Sequence, residues 1–190
     1  LSYPFVQRAI AAGVMISLCA ALLGVILVLK QYSLIGHGLG DVGFASTSLA
    51  VALGLPVMAV SIPIVVIAAC LIMFWSQRSK TGGDTAIGMV ATGALSIGVI
   101  ITAMSSGFNV DVNGYMFGSI LAMSREDVIF SVVLSIVILV LFVVFYNRLF
   151  LITFDENFAK ASGIRVGFYQ FLIALLTALT VVMGMRMMGS

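Results

Sequence analysis

Apolar runs separated by short polar stretches divide the chain into six segments: Ala9 to Leu29, Tyr32 to Leu55, Pro56 to Trp75, Thr85 to Phe108, Val128 to Tyr146 and Val166 to Met185. A helix needs about 20 such residues to cross a hydrocarbon layer about 30 Å thick, and each run is close to that length. Nowhere do polar and apolar residues alternate over the ten or so positions of a membrane barrel strand. The pattern predicts an all-α, polytopic transmembrane helix bundle of about six spans, forming a single domain over residues 1–190. Leu1 opens the chain without the basic stretch of a signal peptide, and Gly189 and Ser190 follow directly on an apolar run. The domain is therefore expected to be incomplete, above all at its C-terminus.

Composition sharpens this reading. With 62% hydrophobic residues, 8% charged residues and a mean hydropathy of +1.26, too few charges exist to cover a water-soluble globule. The net charge of +2 is scattered through short loops without a basic run, which argues against nucleic acid as a partner. Cys19 and Cys70 each fall inside an apolar span, where a thiol behaves as a small hydrophobe. Cytoplasmic loops carry the excess of Lys and Arg. With the N-terminus outside, Lys30, Arg78, Lys80, Arg148, Lys160 and Arg165 face inward, against Arg8, Arg125 and Arg186 outward. The segment from Asn147 to Arg165 is then cytoplasmic, and the connection from Asn109 to Asp127 faces out.

Two loops carry local signals. In Phe154-Asp-Glu-Asn-Phe-Ala-Lys-Ala-Ser-Gly163, Asp155 is placed as an N-cap, Glu156 lies in the first turn, and Gly163 stands where helices commonly stop. A short helix is predicted between the fifth and sixth spans, with Phe154, Phe158 and Ala161 along one face. That face suits either a partner protein or the membrane surface. In the outward connection, Ser124 and Asp127 have capping-box spacing ahead of the fifth span, leaving Arg125 and Glu126 to meet something outside. Of three glycine pairs four residues apart, only Gly36 with Gly40 lies wholly within a span, where it could mark close helix packing.

The second span holds the chain's candidate chemistry. His37 and Asp41 are four residues apart, so on a helix their side chains leave one face about 5 to 6 Å apart at Cβ. A carboxylate turned toward lipid costs roughly 2.5 to 3.5 kcal/mol, which directs Asp41 to the bundle interior or a watery path. Imidazole nitrogen with carboxylate oxygen suits a divalent transition metal such as zinc or manganese, although two donors need help from other spans, water or a second chain. A simple His37–Asp41 hydrogen bond and a proton relay are the alternatives. With one His and no evident set of nucleophile, base and orienter, the chain is not expected to be an enzyme.

Three stretches in order, Tyr32-Ser-Leu-Ile-Gly-His-Gly-Leu-Gly-Asp-Val-Gly-Phe44, Phe117-Gly-Ser-Ile-Leu-Ala-Met-Ser-Arg-Glu-Asp127 and Phe154-Asp-Glu-Asn-Phe-Ala-Lys-Ala-Ser-Gly-Ile164, resemble membrane permease subunits of zinc- and manganese-type ABC importers. The resemblance covers nearly the whole chain, which looks like the first two thirds of such a permease. It implies a type II ABC importer-like bundle in the cell membrane, working as a homodimer and moving the divalent metal by alternating access, with no permanently bound cofactor. It also implies a cytoplasmic ATPase gripping Asp155, Glu156, Phe158, Ala159, Ala161 and Gly163 as a coupling helix, and an extracytoplasmic metal-binding protein docking at Ser124, Arg125 and Glu126. No GxxxxGK[ST] phosphate loop occurs in the chain, so hydrolysis belongs to the partner. In the family the pair usually reads Asp first and His four positions later; here the order is inverted, with the ligand set kept. A permease for metal chelates such as siderophores, haem or cobalamin, and a passive or proton-conducting channel, are the competing expectations.

Overall fold

The structure is a computed structural model. It describes the backbone of residues 4–78, 83–104 and 125–188, and their side chains apart from residues 4–6, 8, 9, 76–78, 125–127 and 186–188. Seven helices follow one another among the described residues: α1 (Pro4–Leu29), α2 (Ile35–Ala52), α3 (Val57–Arg78), α4 (Gly83–Met104), α5 (Arg125–Phe154), α6 (Glu156–Ala161) and α7 (Val166–Met188). Five of them, α1, α3, α4, α5 and α7, are long and apolar enough to cross a membrane. Val25, Val143, Val144 and Ile100 stand exposed on their outer faces, as lipid-facing residues do.

α2 is the exception by composition. Its 18 residues include His37, Asp41 and the run Ser46-Thr-Ser48, and α3, α4 and α7 pack around it. Eleven of its residues are buried, among them all three of that hydroxyl run. α7 is the most enclosed of the five long helices and packs against α1, α2, α3 and α5. The main core joins Leu23 of α1, Leu39 of α2, Ile72 of α3, Ile138 of α5 and Ile173 of α7.

Glycine permits the tightest contacts, but not at Gly36. A methyl group added at Gly36 would meet nothing within 4 Å, so that face has no close neighbour. Added at Gly38 it would lie 2.5 Å from Ile87 Cγ2, and at Gly98 it would lie 2.8 Å from the Phe44 ring and 3.0 Å from Ala45 Cα. The α2–α4 seam is therefore set by one glycine on each helix.

α1, α2 and α6 each end in the same way: the amide two residues past the cap returns to a carbonyl in the last turn. The closures are Tyr32 N to Leu27 O (2.9 Å), Leu55 N to Ala50 O (2.9 Å) and Ile164 N to Ala159 O (3.1 Å). The left-handed position falls to Gly54 (φ +66°) and Gly163 (φ +77°), but to Gln31 (φ +60°) at the end of α1.

The fifth span runs farther than its hydropathy predicts. Asn147 and Arg148 resemble an end, yet α5 continues to Phe154 because Leu149 and Ile152 are fully buried, Ile152 against Ala159 of α6 and Val166 of α7. At 30 residues it is about 45 Å long, well beyond a hydrocarbon core.

Because Gly98 has no room for a side chain, Gly98→Val should destabilise the full-length protein by about 1–3 kcal/mol. Gly93, where an added methyl meets nothing within 4 Å, should accept Ala with unchanged or slightly higher stability. Thermal unfolding of the two variants in detergent measures the difference.

Candidate functional site

The site is built from the first turns of α2 and the ends gathered around them. Leu34, just ahead of α2, donates its backbone N–H to Asp84 Oδ1 at 3.1 Å, so a carboxylate from the first turn of α4 supports the start of α2 as well. Gly83 makes this possible, since any side chain there would collide with the Tyr32 ring and the Gln31 carbonyl. Beside this junction, burial pushes the Lys30 ammonium below its ordinary pKa, and the Glu156 carboxylate partly restores it. Lys30, Asp84 and Glu156 thus mark one end of the bundle, the end that the charge asymmetry assigns to the cytoplasm.

From that start, α2 places His37 in its first turn and Asp41 one turn on. The two side chains share a face: His37 Nε2 lies 3.9 Å from Asp41 Oδ2, with the imidazole 77% exposed and the carboxylate only 14% exposed. This separation is too long for a hydrogen bond, so the pair does not satisfy itself. Two donors on one zinc-like ion stand about 3.4 Å apart at a tetrahedral angle and at most about 4.2 Å apart. The observed spacing therefore admits a shared cation, with a small rotamer change closing the angle. His37 and Gly40 line a cavity of about 460 Å³ between α2, Ser17 and Ala20 of α1, and Thr180, Gly184 and Met185 of α7. Among the described residues no three His, Cys, Asp or Glu side chains converge, so no further donor of these types joins the pair there.

Sequence reasoning missed several polar contacts made along α2 and at its start. Asp84 was one; its role depends on a contact with a residue 50 positions away. The hydroxyl run of α2 was another: Ser46 Oγ donates to Gly43 O at 2.8 Å, and Thr102 of α4 donates to Ser48 Oγ at 3.1 Å. Three consecutive hydroxyls inside an apolar run were the available signal.

The short helix α6 forms where capping chemistry placed it. Asp155, in an extended conformation, accepts the Phe158 N–H at 2.9 Å, and Lys160 pairs with Glu156 at 2.7 Å while Gln170 of α7 donates to the same carboxylate at 3.2 Å. Of the residues assigned to coupling, Asp155, Phe158, Ala161 and Gly163 are exposed, Glu156 is half-buried, and Ala159 is fully buried against α5 and α7. Ala159 anchors the helix and offers no surface. Phe154 and Phe158 are both more than half exposed, and Phe154 stacks on Phe150 with ring centroids 4.4 Å apart, extending the apolar face up α5. Ser124, assigned to binding-protein docking, lies outside the described residues, as do the side chains of Arg125 and Glu126.

A bundle of long apolar helices around a polar one, with an imidazole–carboxylate pair beside an open cavity, defines a multi-pass membrane protein. The chain belongs to the ABC 3 transport family, whose model matches residues 2–190. It is 29% identical to a manganese transport system membrane protein, MntC of Halalkalibacterium halodurans, over 100% of this chain and 65% of that one. It is also 29% identical to the high-affinity zinc uptake system membrane protein ZnuB of Haemophilus influenzae, over 96% of this chain and 70% of that protein. Among solved structures, PsaBC from Streptococcus pneumoniae in complex with Fab superposes with a TM-score of 0.80 at 29% identity, covering 99% of this chain and 68% of its own. The chain thus spans about two thirds of the length of the relatives it matches.

The α6 cap offers a direct check on this end of the molecule. Asp155→Ala should cost α6 about 1 kcal/mol and raise amide exchange at Phe158 roughly fivefold, whereas Asp155→Ser should change little. Hydrogen exchange with mass spectrometry on the full-length protein distinguishes the two.

Proposed function

We propose that this chain is the permease portion of an ATP-driven importer that carries a divalent metal ion, manganese or zinc, across the cell membrane. The observation that carries the reading is the His37–Asp41 pair, 3.9 Å apart on one face of α2 beside a cavity, in a chain of a transport family. The metal is cargo, held in passing by one nitrogen and one oxygen donor and completed by water or by a second copy of the chain. Two protein ligands suit transport, because a site must bind well enough to admit an ion and weakly enough to release it.

In this reading the permease is a homodimer surrounded by membrane lipid. A cytoplasmic ATPase docks on α6 and drives alternating access, gripping the exposed Phe154, Phe158 and Ala161 while Asp155, Glu156, Ala159 and Gly163 hold the helix in shape. An extracytoplasmic metal-binding protein delivers the ion at Ser124, Arg125 and Glu126. The relatives' names, one a manganese and one a zinc system, support the metal class without choosing between the two.

In the full-length permease assembled with its ATPase, His37→Ala combined with Asp41→Ala should reduce uptake of radiolabelled manganese or zinc about a hundredfold, since both protein donors are lost. Assembly with the ATPase should be unchanged. Wild-type uptake by the double variant would remove the site, and flux without any ATPase would favour a passive channel instead.

A further inference from the structure

Open space along α2 does not end at His37. A second cavity of about 270 Å³ lies nearer the α2–α3 turn, bounded by Gly43 and Thr47 of α2, Met58 and Ser61 of α3, and Met185 of α7. Met185 also lines the cavity beside His37, so one side chain stands between the two spaces. Its thioether lies directly on Gly43, where an added methyl group would collide with both Sδ and Cε.

The second cavity holds an unusual group. Ser61 Oγ is buried and has no hydrogen-bond partner among the described residues. A buried hydroxyl left unpaired is unfavourable, so the position favours a visiting water or a hydrated ligand. At about 30 Å³ per water, the space accommodates a small cation with its first water shell. Among the described residues its lining is otherwise apolar apart from Thr47 and contains no carboxylate, which suits outer-sphere contact through water and not tight coordination. Met185 has the properties of a gate between the two spaces: an unbranched side chain turns easily, and an apolar constriction closes a wet path by excluding water.

We propose that Met185 seated on Gly43 is a hydrophobic gate in the cation path, and that the Thr47–Ser61 cavity beyond it is a station for the hydrated divalent cation. This inference rests on the metal-permease reading. The gate keeps the His37–Asp41 donors from being open to both ends of the path at once.

The test uses the full-length permease with its ATPase in vesicles, with Mn²⁺ entry followed by a trapped dye. Met185→Ala should give an ATP-independent Mn²⁺ leak about fivefold or more above wild type, because the constriction no longer excludes water. Ser61→Ala with Thr47→Val should slow ATP-driven uptake about threefold or more without a leak, while Mn²⁺ binding to the detergent-solubilised protein is retained. Vesicles that stay tight with Met185→Ala, or full-rate uptake by the Ser61 and Thr47 variant, overturn the proposal. Should those variants fail to assemble, Ser61→Cys in a Cys19→Ala, Cys70→Ala background serves. Its thiol should react with a small cationic methanethiosulfonate, and an unreactive thiol overturns the station. A dead His37 and Asp41 variant beside a fully active Ser61 and Thr47 variant defeats this inference alone; uptake by the His37 and Asp41 variant defeats the functional reading beneath it.

Discussion

The structure depends on keeping α2 away from lipid. An imidazole, a carboxylate and three successive hydroxyls on an 18-residue helix would be costly beside hydrocarbon, where polar atoms have no water to meet. α3, α4 and α7 supply the shield, and the small residues along the seams determine how closely it fits. Gly38 and Gly98 let α2 and α4 approach until Thr102 reaches Ser48, while Gly43 lets Met185 of α7 lie on the helix backbone. The face with His37 and Gly36 opens on a cavity bounded by α1 and α7. The polar helix is thus tolerated by enclosure, and the candidate ligands sit where that enclosure opens on a cavity.

The same enclosure ties the site to the short helix beneath it. α7 lines the cavity with Thr180 and Gly184, and at its other end Gln170 donates to Glu156 of α6. α5 contributes Ile152 to the small core under Ala159 and continues as the helix that packs on α1. Lys30 ends α1 a few residues before α2 begins and senses the Glu156 carboxylate. A displacement of α6 would therefore be felt at α1 and α7, two walls of the cavity, through packed helices and a shared carboxylate. That is the mechanical requirement of the proposed importer, whose energy source would lie outside the membrane.

What the sequence revealed follows the range of the interactions involved. The caps of α6 were legible because Asp155 and Gly163 act on atoms three or four residues away. The His37–Asp41 pair was legible because helical spacing alone puts positions four apart on one face. The end of α5 was not: Asn147 and Arg148 announce a boundary, and only tertiary contacts, the main core for Leu149 and the distant Ala159 and Val166 for Ile152, give the helix a reason to continue. Gly36 has no close neighbour for a related reason, since spacing specifies a face but not whether a neighbour covers each position on it. Asp84 beneath Leu34, Met185 on Gly43 and the unpaired Ser61 are products of tertiary contact, which no local pattern encodes.

The inverted order of the donor pair acquires a physical meaning once exposure is known. Exchanging two residues four apart on a helix leaves their shared face and midpoint unchanged but moves each donor by about one turn, roughly 6 Å. Here the exposed imidazole comes first and the carboxylate, 14% exposed, lies deeper. A cation entering the enclosure loses water, and its charge is least well tolerated where burial is greatest. If the pair holds the ion as proposed, the carboxylate puts compensating charge where the dielectric is lowest, while the imidazole, neutral when it binds metal, occupies the wet side at no comparable cost. In the proposed reading the inversion keeps the two donor types and separates their tasks, one neutralising charge in the interior and the other engaging the ion where water still reaches it.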